Sequence, residues 1–581
     1  MSHTPNYDAK VQAILDAAAP GERTCALTGE KWMMTDEEIG WYKKFNVPPS
    51  SRSPMTRWWV MSSFFLAEQW WWNKHAETGK PLLTFIHPAT GLRVLPDKEW
   101  YEKDFIEKGR DVDATQPFFP QLRELQLTVP LLSEKNIKEP ENSIARFSFG
   151  DVNSYFVMGC RSRDSLFSDW VLDEENTSEA WNGTSINRCY NVADSFRLFD
   201  CKFVRASLDC LSSTFLFDCR NCEFCFGASN KRNKKYLWWN EQLTKEEWEK
   251  RRAEVDFSSR EVLQKYGEQF HTMIREQSIW PENFNDQAEG STGEYLNKVT
   301  RVKNGFTCAN GVQDCFWVSY ATENARDSAF CAGLFTSQDC YGSTNPAQCS
   351  EMLFTYNCQT SQNLEYCIQC MGSENCFGCV GLNRKKFCIF NKQYSEQEYW
   401  QRVDELKCHM LDRGEYGEFF PVSMSPAYFP DSGAVIYHGA PPDLGRTKLG
   451  ALDFEPEAEG AMGPDLSGAT NMKRLSDIPD RLDDFDEAAW LGVPIYDASM
   501  RRRFAFIAPE IQFYKTHRLA PPARHFVGRI HDLIRESNMG RFESTHCAKC
   551  STEITVAFNH IHTVRTVYCK ACYLQYLEKN G

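Results

Sequence analysis

No run of apolar residues in the 581-residue chain approaches the roughly 18 that a membrane-spanning helix needs. The opening stretch, MSHTPNYDAK, lacks the apolar core of a signal peptide and the Arg/Ser-rich pattern of a transit peptide. The expected compartment is therefore the cytoplasm. Net positive charge is also missing: 79 acidic residues outnumber 65 basic ones, giving −14, which argues against a general nucleic-acid coat. There is no glycine-rich βαβ pattern for a nucleotide, and no residue stands out as catalytic. What remains is an ordinary globular composition, 42% apolar and 25% charged, long enough for three to five domains. Two counts depart from the ordinary, 24 Cys and 17 Trp. In a long chain without a leader, that many cysteines read as thiols or metal ligands rather than disulfides.

The cysteines are periodic. Cys331, Cys340, Cys349, Cys358, Cys367 and Cys376 lie nine apart, and Cys370, Cys379 and Cys388 keep the same step. So do Cys201, Cys210 and Cys219. Nine residues turn a helix through about two and a half circles, so no helix face can hold this series. A solenoid of short strands and tight corners can, with nine residues as one side of a coil or a fixed fraction of it. Equivalent cysteines would then form ladders along coils stacked about 4.8 Å apart. The pairs Cys219/Cys222, Cys367/Cys370 and Cys376/Cys379 allow a metal or redox array. Small apolar thiols filling a narrow core are the preferred reading.

Two longer repeats follow. At an offset of 151, Cys225-Phe226-Gly227 realigns with Cys376-Phe377-Gly378, Asn240 with Asn391, Thr244 with Ser395 and Trp248 with Tyr399. Each copy ends in a Thr/Ser-capped helix, expected over 245–255 and 396–406, that closes a coil end. At 472, Glu38-Ile39 matches Glu510-Ile511 and Tyr42-Lys43 matches Tyr514-Lys515. The same ungapped offset lays His75, Thr78, Asp97 and Trp100 over Cys547, Cys550, Cys569 and Cys572.

Those last four cysteines carry the strongest chemical signal. Cys547-Ala-Lys-Cys550 and Cys569-Lys-Ala-Cys572 have the spacing of a four-cysteine zinc ribbon, and four thiolates close a tetrahedral Zn²⁺ without leaving a place for substrate. One structural zinc is expected, with no catalytic residue and no other cofactor. His546, His560 and His562 are expected as exposed loop residues. The N-terminal copy is expected to bind no metal, with His75 and Asp97 leaving a weak opening for one. Its Trp70-Trp71-Trp72 run is expected in a core or interface rather than as a base-stacking surface.

Charge divides the C-terminal region. Residues 500–581 hold thirteen Lys/Arg against six Asp/Glu, and 430–499 hold five against fourteen. The acidic part is Gly/Pro-rich and reads as a flexible linker. Arg501, Arg502 and Arg503, ahead of the ribbon, are the candidate nucleic-acid contacts.

The stretches CALTGEKWMMTDEEIGWYKK, KEWYEKDFIEKGRDVDATQPFF, NRKKFCIFNKQYSEQEYW, GEYGEFFPVSMSP and EIQFYKTHRLAPP, with the final CAKC and CKAC, resemble a family. It comprises the Cys-rich zinc-ribbon proteins of candidate-phyla bacteria that often carry the label CaiB/BaiF family. The resemblance implies further zinc knuckles near both termini and no established activity. At the implied positions Cys25 remains, but Thr28, Ser53 and Thr56 stand in for its partners. Asp497, Met500, His525 and Gly528 occupy the matching C-terminal places.

The expected fold is mainly β with α+β end modules, a Cys-ladder β-solenoid of two related halves flanked by zinc-ribbon-like modules. Its segments are 1–110 (degenerate module without metal), 111–255 (first solenoid half with capping helix) and 256–299 (helical connector). Then come 300–425 (second half with capping helix), 426–490 (acidic linker) and 491–581 (C-terminal module with the four-cysteine ribbon). The leading function is a non-enzymatic scaffold with protein partners or a homo-oligomeric state and no membrane. Nucleic-acid or ribosome binding through 500–581 is the alternative. A carbohydrate-active solenoid face, with Asp164 and Asp327 as its nearest carboxylates, ranks third.

Overall fold

Strand outweighs helix, and most of the strand lies in two eleven-stranded sheets, with helices toward the chain ends. The structure, a computed structural model, describes residues 3–65, 67–463 and 472–581; the middle of the expected linker, 464–471, lies outside the described residues. Among the described residues no helix is long and apolar enough to cross a membrane. The chain divides into two units, residues 1–133 with 285–455 and residues 134–284 with 456–581. The N-terminal segment thus goes with the second sheet, and the first sheet with the C-terminal segment.

In the second unit the sheet runs in chain order from Ile144–Arg146 to Glu241–Gln242. Neighbouring strands pair in parallel, with Tyr155–Met158 and Arg161–Arg163 both pairing with Leu166–Glu175, until a final antiparallel hairpin. The register settles at twelve residues: Tyr190 faces Lys202, Lys202 faces Thr214, and Thr214 faces Phe226. Isolated bridges between strands keep the same step, Leu208 to Arg220 to Arg232 and Leu211 to Glu223 to Lys235. The first unit repeats this, with Gln338, Ser350, Gln362, Glu374 and Lys386 in one file of partners.

A period of three lies inside the twelve. From Asn191 to Asn221 every third residue has φ between 46° and 60°, in the left-handed region. L-residues pay for that conformation, and Asp and Asn, which tolerate it best, hold Asn191, Asp194, Asp200, Asp209, Asp218 and Asn221. The residue after each is buried: Val192, Ser195, Leu198, Cys201, Val204, Ser207, Cys210, Ser213, Leu216, Cys219 and Cys222. Only small or aliphatic side chains occupy these places, and the apolar ones form the core of the sheet.

This geometry corrects the expected nine-residue ladder. Nine is three of these three-residue steps and not the strand-to-strand register, so cysteines nine apart are not stacked partners. Cysteines twelve apart are, as Cys376 and Cys388 show. The nine-step has another cause. The thiol of Cys349 donates to the carbonyl of Cys358, Cys358 to that of Cys367, and Cys367 to that of Cys376, at 3.4–3.6 Å. Cys201 and Cys210 do the same in the second unit. A buried carbonyl accepts two hydrogen bonds, and cysteine is a small apolar filler that can supply one of them. Serine shares the role: Ser337 Oγ donates to the Pro346 carbonyl and Ser361 Oγ to that of Cys370, each nine residues on.

Each sheet ends under a helix whose start is fixed by its cap. Thr244 accepts from the Glu247 N–H before Lys245–Ala253, and Ser395 with Glu398 forms a capping box before Glu396–Asp412. The 151-residue repeat extends to geometry. Asn240 and Asn391 both lie in the left-handed region, and their Oδ1 atoms accept from the Ser229 and Val380 N–H groups at 2.9 Å.

Two expected boundaries move. The expected connector, 256–299, contains the helix Arg260–Glu276 but also the strands Asp286–Glu289 and Gly293–Lys303, which open the first unit's sheet. The expected linker, 426–490, begins as packed chain. Phe429–Asp431 and Gly433–Ile436 are short helical turns, and Tyr428, Phe429, Val435, Ile436 and Tyr437 are buried. Charge averaged over the whole of 430–499 hid this apolar stretch.

A helix is held to each sheet by the same buried group. In the second unit Phe526–Glu536 lies on the strands Leu166–Glu175, Ser178–Asn187 and Tyr190–Phe199. Its Arg529 donates to Glu179 at 2.6 Å, to Glu510 at 2.7 Å and to the Tyr514 hydroxyl. In the first unit Pro54–Ser62 packs on Ala329–Ala332. Its Arg57 donates to the Tyr42 and Tyr341 hydroxyls and lies over the Phe330 ring, with Glu38 at 3.9 Å. Arg57 and Arg529 stand 472 apart, like Glu38/Glu510 and Tyr42/Tyr514.

Candidate metal centre

The strands Asn538–His546 and Glu553–Asn559 pair antiparallel, and Cys547–Cys550 lies in the turn between them. The Cys547 N–H donates to the Thr552 carbonyl, and the Cys547 carbonyl accepts from the Ser551 N–H, with Ser551 in the left-handed region. That turn points Cys547 and Cys550 the same way. Cys569 caps the helix Lys570–Asn580, placing Cys572 on its first turn. All four sulfurs lie within 4.8 Å of one another, and Cys550 Sγ is 3.7 Å from Cys569 Sγ. The cluster can hold a metal ion.

Its electrostatics fit that use. Burial opposes ionisation of Cys547, but the backbone N–H groups of Cys569, Cys550 and Lys549 bring the thiol down to about 6. Cys572 is pushed up to about 12 by burial and by the sulfurs beside it. Thiolates this close do not all ionise unless a cation sits among them.

The same turn recurs three more times. His75 donates to Lys80 and accepts from Gly79, and Cys25 donates to Glu30 and accepts from Gly29. Asp497 pairs with Arg502, and Arg501 is left-handed, four residues on. At the first of the expected knuckle positions Cys25 Sγ donates to Thr56 Oγ1 at 3.4 Å, while Thr28 and Ser53 also reach Thr56. At the C-terminal counterpart Asp497 accepts from the N–H groups of Met500 and His525, and Gly528 lies against Met500. Hydrogen bonds among small polar groups stand at these positions, where the resemblance implies thiolates.

The ungapped offset needs one correction. Pro96 caps Asp97–Tyr101 as Cys569 caps Lys570–Asn580, so the offset has grown to 473 by the second knuckle. The counterparts of Cys569 and Cys572 are then Pro96 and Glu99, not Asp97 and Trp100. His75 Nε2 is accordingly 3.0 Å from Glu99 Oε2, while Trp100 is buried and donates to the Pro130 carbonyl.

Other candidates fall in different places. Of the three arginines only Arg501 is exposed; Arg502 is buried in the strand Arg502–Phe504, and the Arg503 N–H donates to Glu457. They do not form one basic surface. Asp164 and Asp327 are left-handed corner residues, the first accepting from Asn153 and the second from Lys44. Trp70 and Trp71 are buried and Trp72 is half-buried.

The histidines require a second correction. His546 and His560 are exposed, but His562 is buried, and its ring faces His271 and Glu536 rather than the four sulfurs. Burial pushes His562 down to about 4, against the pull of Glu536. Glu536 is pushed up by burial, yet Arg205 and His271 beside it hold it below the usual range. No spacing rule joins residues 271, 536 and 562, so only the fold reveals the group. Among the described residues these three and the four cysteines are the groups of three or more metal-ligating side chains that converge.

No protein-family model matches the chain, and no curated protein matches it.

Proposed function

We propose that the protein is a non-enzymatic scaffold in which each large sheet is the wall of a β-solenoid and the C-terminal hairpin is a zinc ribbon. A coil of twelve residues with four three-residue sides accounts for the register, the left-handed corners and the buried residue on every side. Zinc suits the four thiolates: sulfurs at about 2.3 Å from a tetrahedral ion lie about 3.8 Å apart, close to the 3.7 Å between Cys550 and Cys569. A closed thiolate set offers no open position for a substrate, so the metal's role is structural. The degenerate knuckles at Cys25 and Asp497 agree with the resemblance to the Cys-rich zinc-ribbon family.

The observation that carries the scaffold reading is where the reactive groups go. Eighteen of the 24 cysteines lie in the two sheets and are all buried, and Asp164 and Asp327 serve corners. The ribbon instead exposes apolar side chains, with Val564 79%, Leu574 51% and Ile561 48% exposed. Such residues fit a protein partner or a second copy better than a phosphate backbone. Light scattering over a concentration series tests this. The native particle should exceed the 67.1 kDa chain, and Val564→Asp should reduce it toward one chain. A strictly monomeric particle, unaffected by V564D and turning over a small molecule, would refute the proposal.

A further inference from the structure

We infer that His271, Glu536 and His562 form a second metal site, for a divalent transition cation held by two imidazoles and one carboxylate. Three separate segments supply the ligands. His271 lies on the helix Arg260–Glu276, Glu536 ends the helix Phe526–Glu536, and His562 lies between the strands Glu553–Asn559 and Thr566–Tyr568. One ligand atom from each lies within 4.8 Å of the others. His271 Nδ1 is 3.8 Å from Glu536 Oε2. Ligands at about 2.0–2.1 Å from a tetrahedral ion are about 3.4 Å apart, so the group needs only a small contraction.

Two features distinguish this from ordinary packing. His271 Nδ1 is sealed from solvent and has no hydrogen-bond partner among the described residues, a costly state for a buried polar atom. A cation would give it a partner. The second feature is that the group belongs to one copy. The 472-residue offset carries Glu536 onto Phe64, and the 151-residue offset carries His271 onto Val422. Those positions are buried in the first unit, but they offer no imidazole or carboxylate. The shared architecture therefore does not require the trio.

The surroundings position the ligands. Arg205 Nε donates to Glu536 Oε2 at 3.0 Å and Arg205 Nη2 to Oε1 at 3.1 Å. A carboxylate offers about four lone-pair sites, so the guanidinium orients it and leaves sites for a cation. The positive neighbour disfavours hard cations held by charge alone, and imidazole ligands favour zinc, nickel, cobalt or copper. The backbone N–H of His562 donates to Asn559 Oδ1 at 2.7 Å, fixing the loop, and its ring packs on Trp280. A bound ion would tie the ribbon loop to two helices of the same unit.

Cobalt(II) loading of the full-length chain tests the site, because thiolate ligands give intense near-ultraviolet charge-transfer bands and imidazole–carboxylate ligands do not. After dialysis the wild type should retain two equivalents. His271→Ala and His562→Asn should each retain one, with the thiolate bands unchanged and circular dichroism native. Cys550→Ser should retain one and lose the bands, so failure of the ribbon and failure of this site read differently. A wild type with one equivalent, or an equivalent count unchanged in both H271A and H562N, would overturn the inference.

Discussion

Arg529→Ala should cost the second unit about 3–5 kcal/mol, the usual result of removing one partner from a buried ion pair. Arg529 is 6% exposed, and Glu179 and Glu510, its partners at 2.6 and 2.7 Å, are 2% and 3% exposed. Burial alone pushes Glu510 upward, and Arg529 is the main influence opposing it. Without the guanidinium two carboxylates and the Tyr514 hydroxyl would face one another in a cavity. Urea unfolding followed by a probe in residues 134–284 or 456–581 measures the loss. The triple variant R529M/E179Q/E510Q should recover most of it, since the stranded charge is the main cost. A loss below about 1 kcal/mol in R529A, the range of an exposed pair, would show that this group does not hold the helix to the sheet. Arg57→Ala should cost less, because Glu38 is 3.9 Å away and the closer partners are tyrosine hydroxyls.

Removing the ribbon metal should have a comparable but local effect. Metal binding to an isolated thiolate ribbon amounts to folding it, with apparent free energies on the order of 10 kcal/mol. The hairpin between Asn538 and Asn559 has exposed residues along much of one face, so little apolar burial would replace the metal. A strong chelator, or Cys550→Ser, should therefore release the thiolate-bound ion and speed amide exchange across 545–572. Exchange in the sheet strands Tyr190–Phe199 and Thr214–Phe217 should not change. Full protection of 545–572 after complete metal removal would show that the hairpin is held by packing.

Much of this was legible in the sequence, for identifiable reasons. Capping obeys local chemistry, so Thr244 and Ser395 mark the starts of their helices in the sequence alone. The convergence of the four C-terminal cysteines is read from spacing because one ion needs four donors at two tight turns. The repeats carry Glu38/Tyr42 and Glu510/Tyr514 at one offset, and Arg57 and Arg529 share it. The twelve-residue register was obscured because its unit is three residues, and the left-handed corners are not confined to Gly and Asn. Phe203, Phe215 and Arg197 occupy them too, held there by strand pairing and by burial of the residue that follows each, Val204, Leu216 and Leu198, rather than by their own preference. The slip between the two knuckles is masked in the sequence, because identical residues at Arg93/Arg565 and Lys98/Lys570 favour an ungapped alignment. The His271–Glu536–His562 group had no sequence signal, since its members meet only through tertiary packing.

The central claim is that the periodic cysteines fill the cores of coiled sheets and bind nothing. Its most direct test is a count of reactive thiols in the native, metal-loaded chain against the unfolded one, with released metal measured alongside. The eighteen sheet cysteines, all buried, should stay silent until the sheets unfold, and their exposure should release no metal beyond that of the tail ribbon and the histidine site. Rapid labelling of those eighteen in the folded protein, or metal released in proportion to them, would contradict the claim.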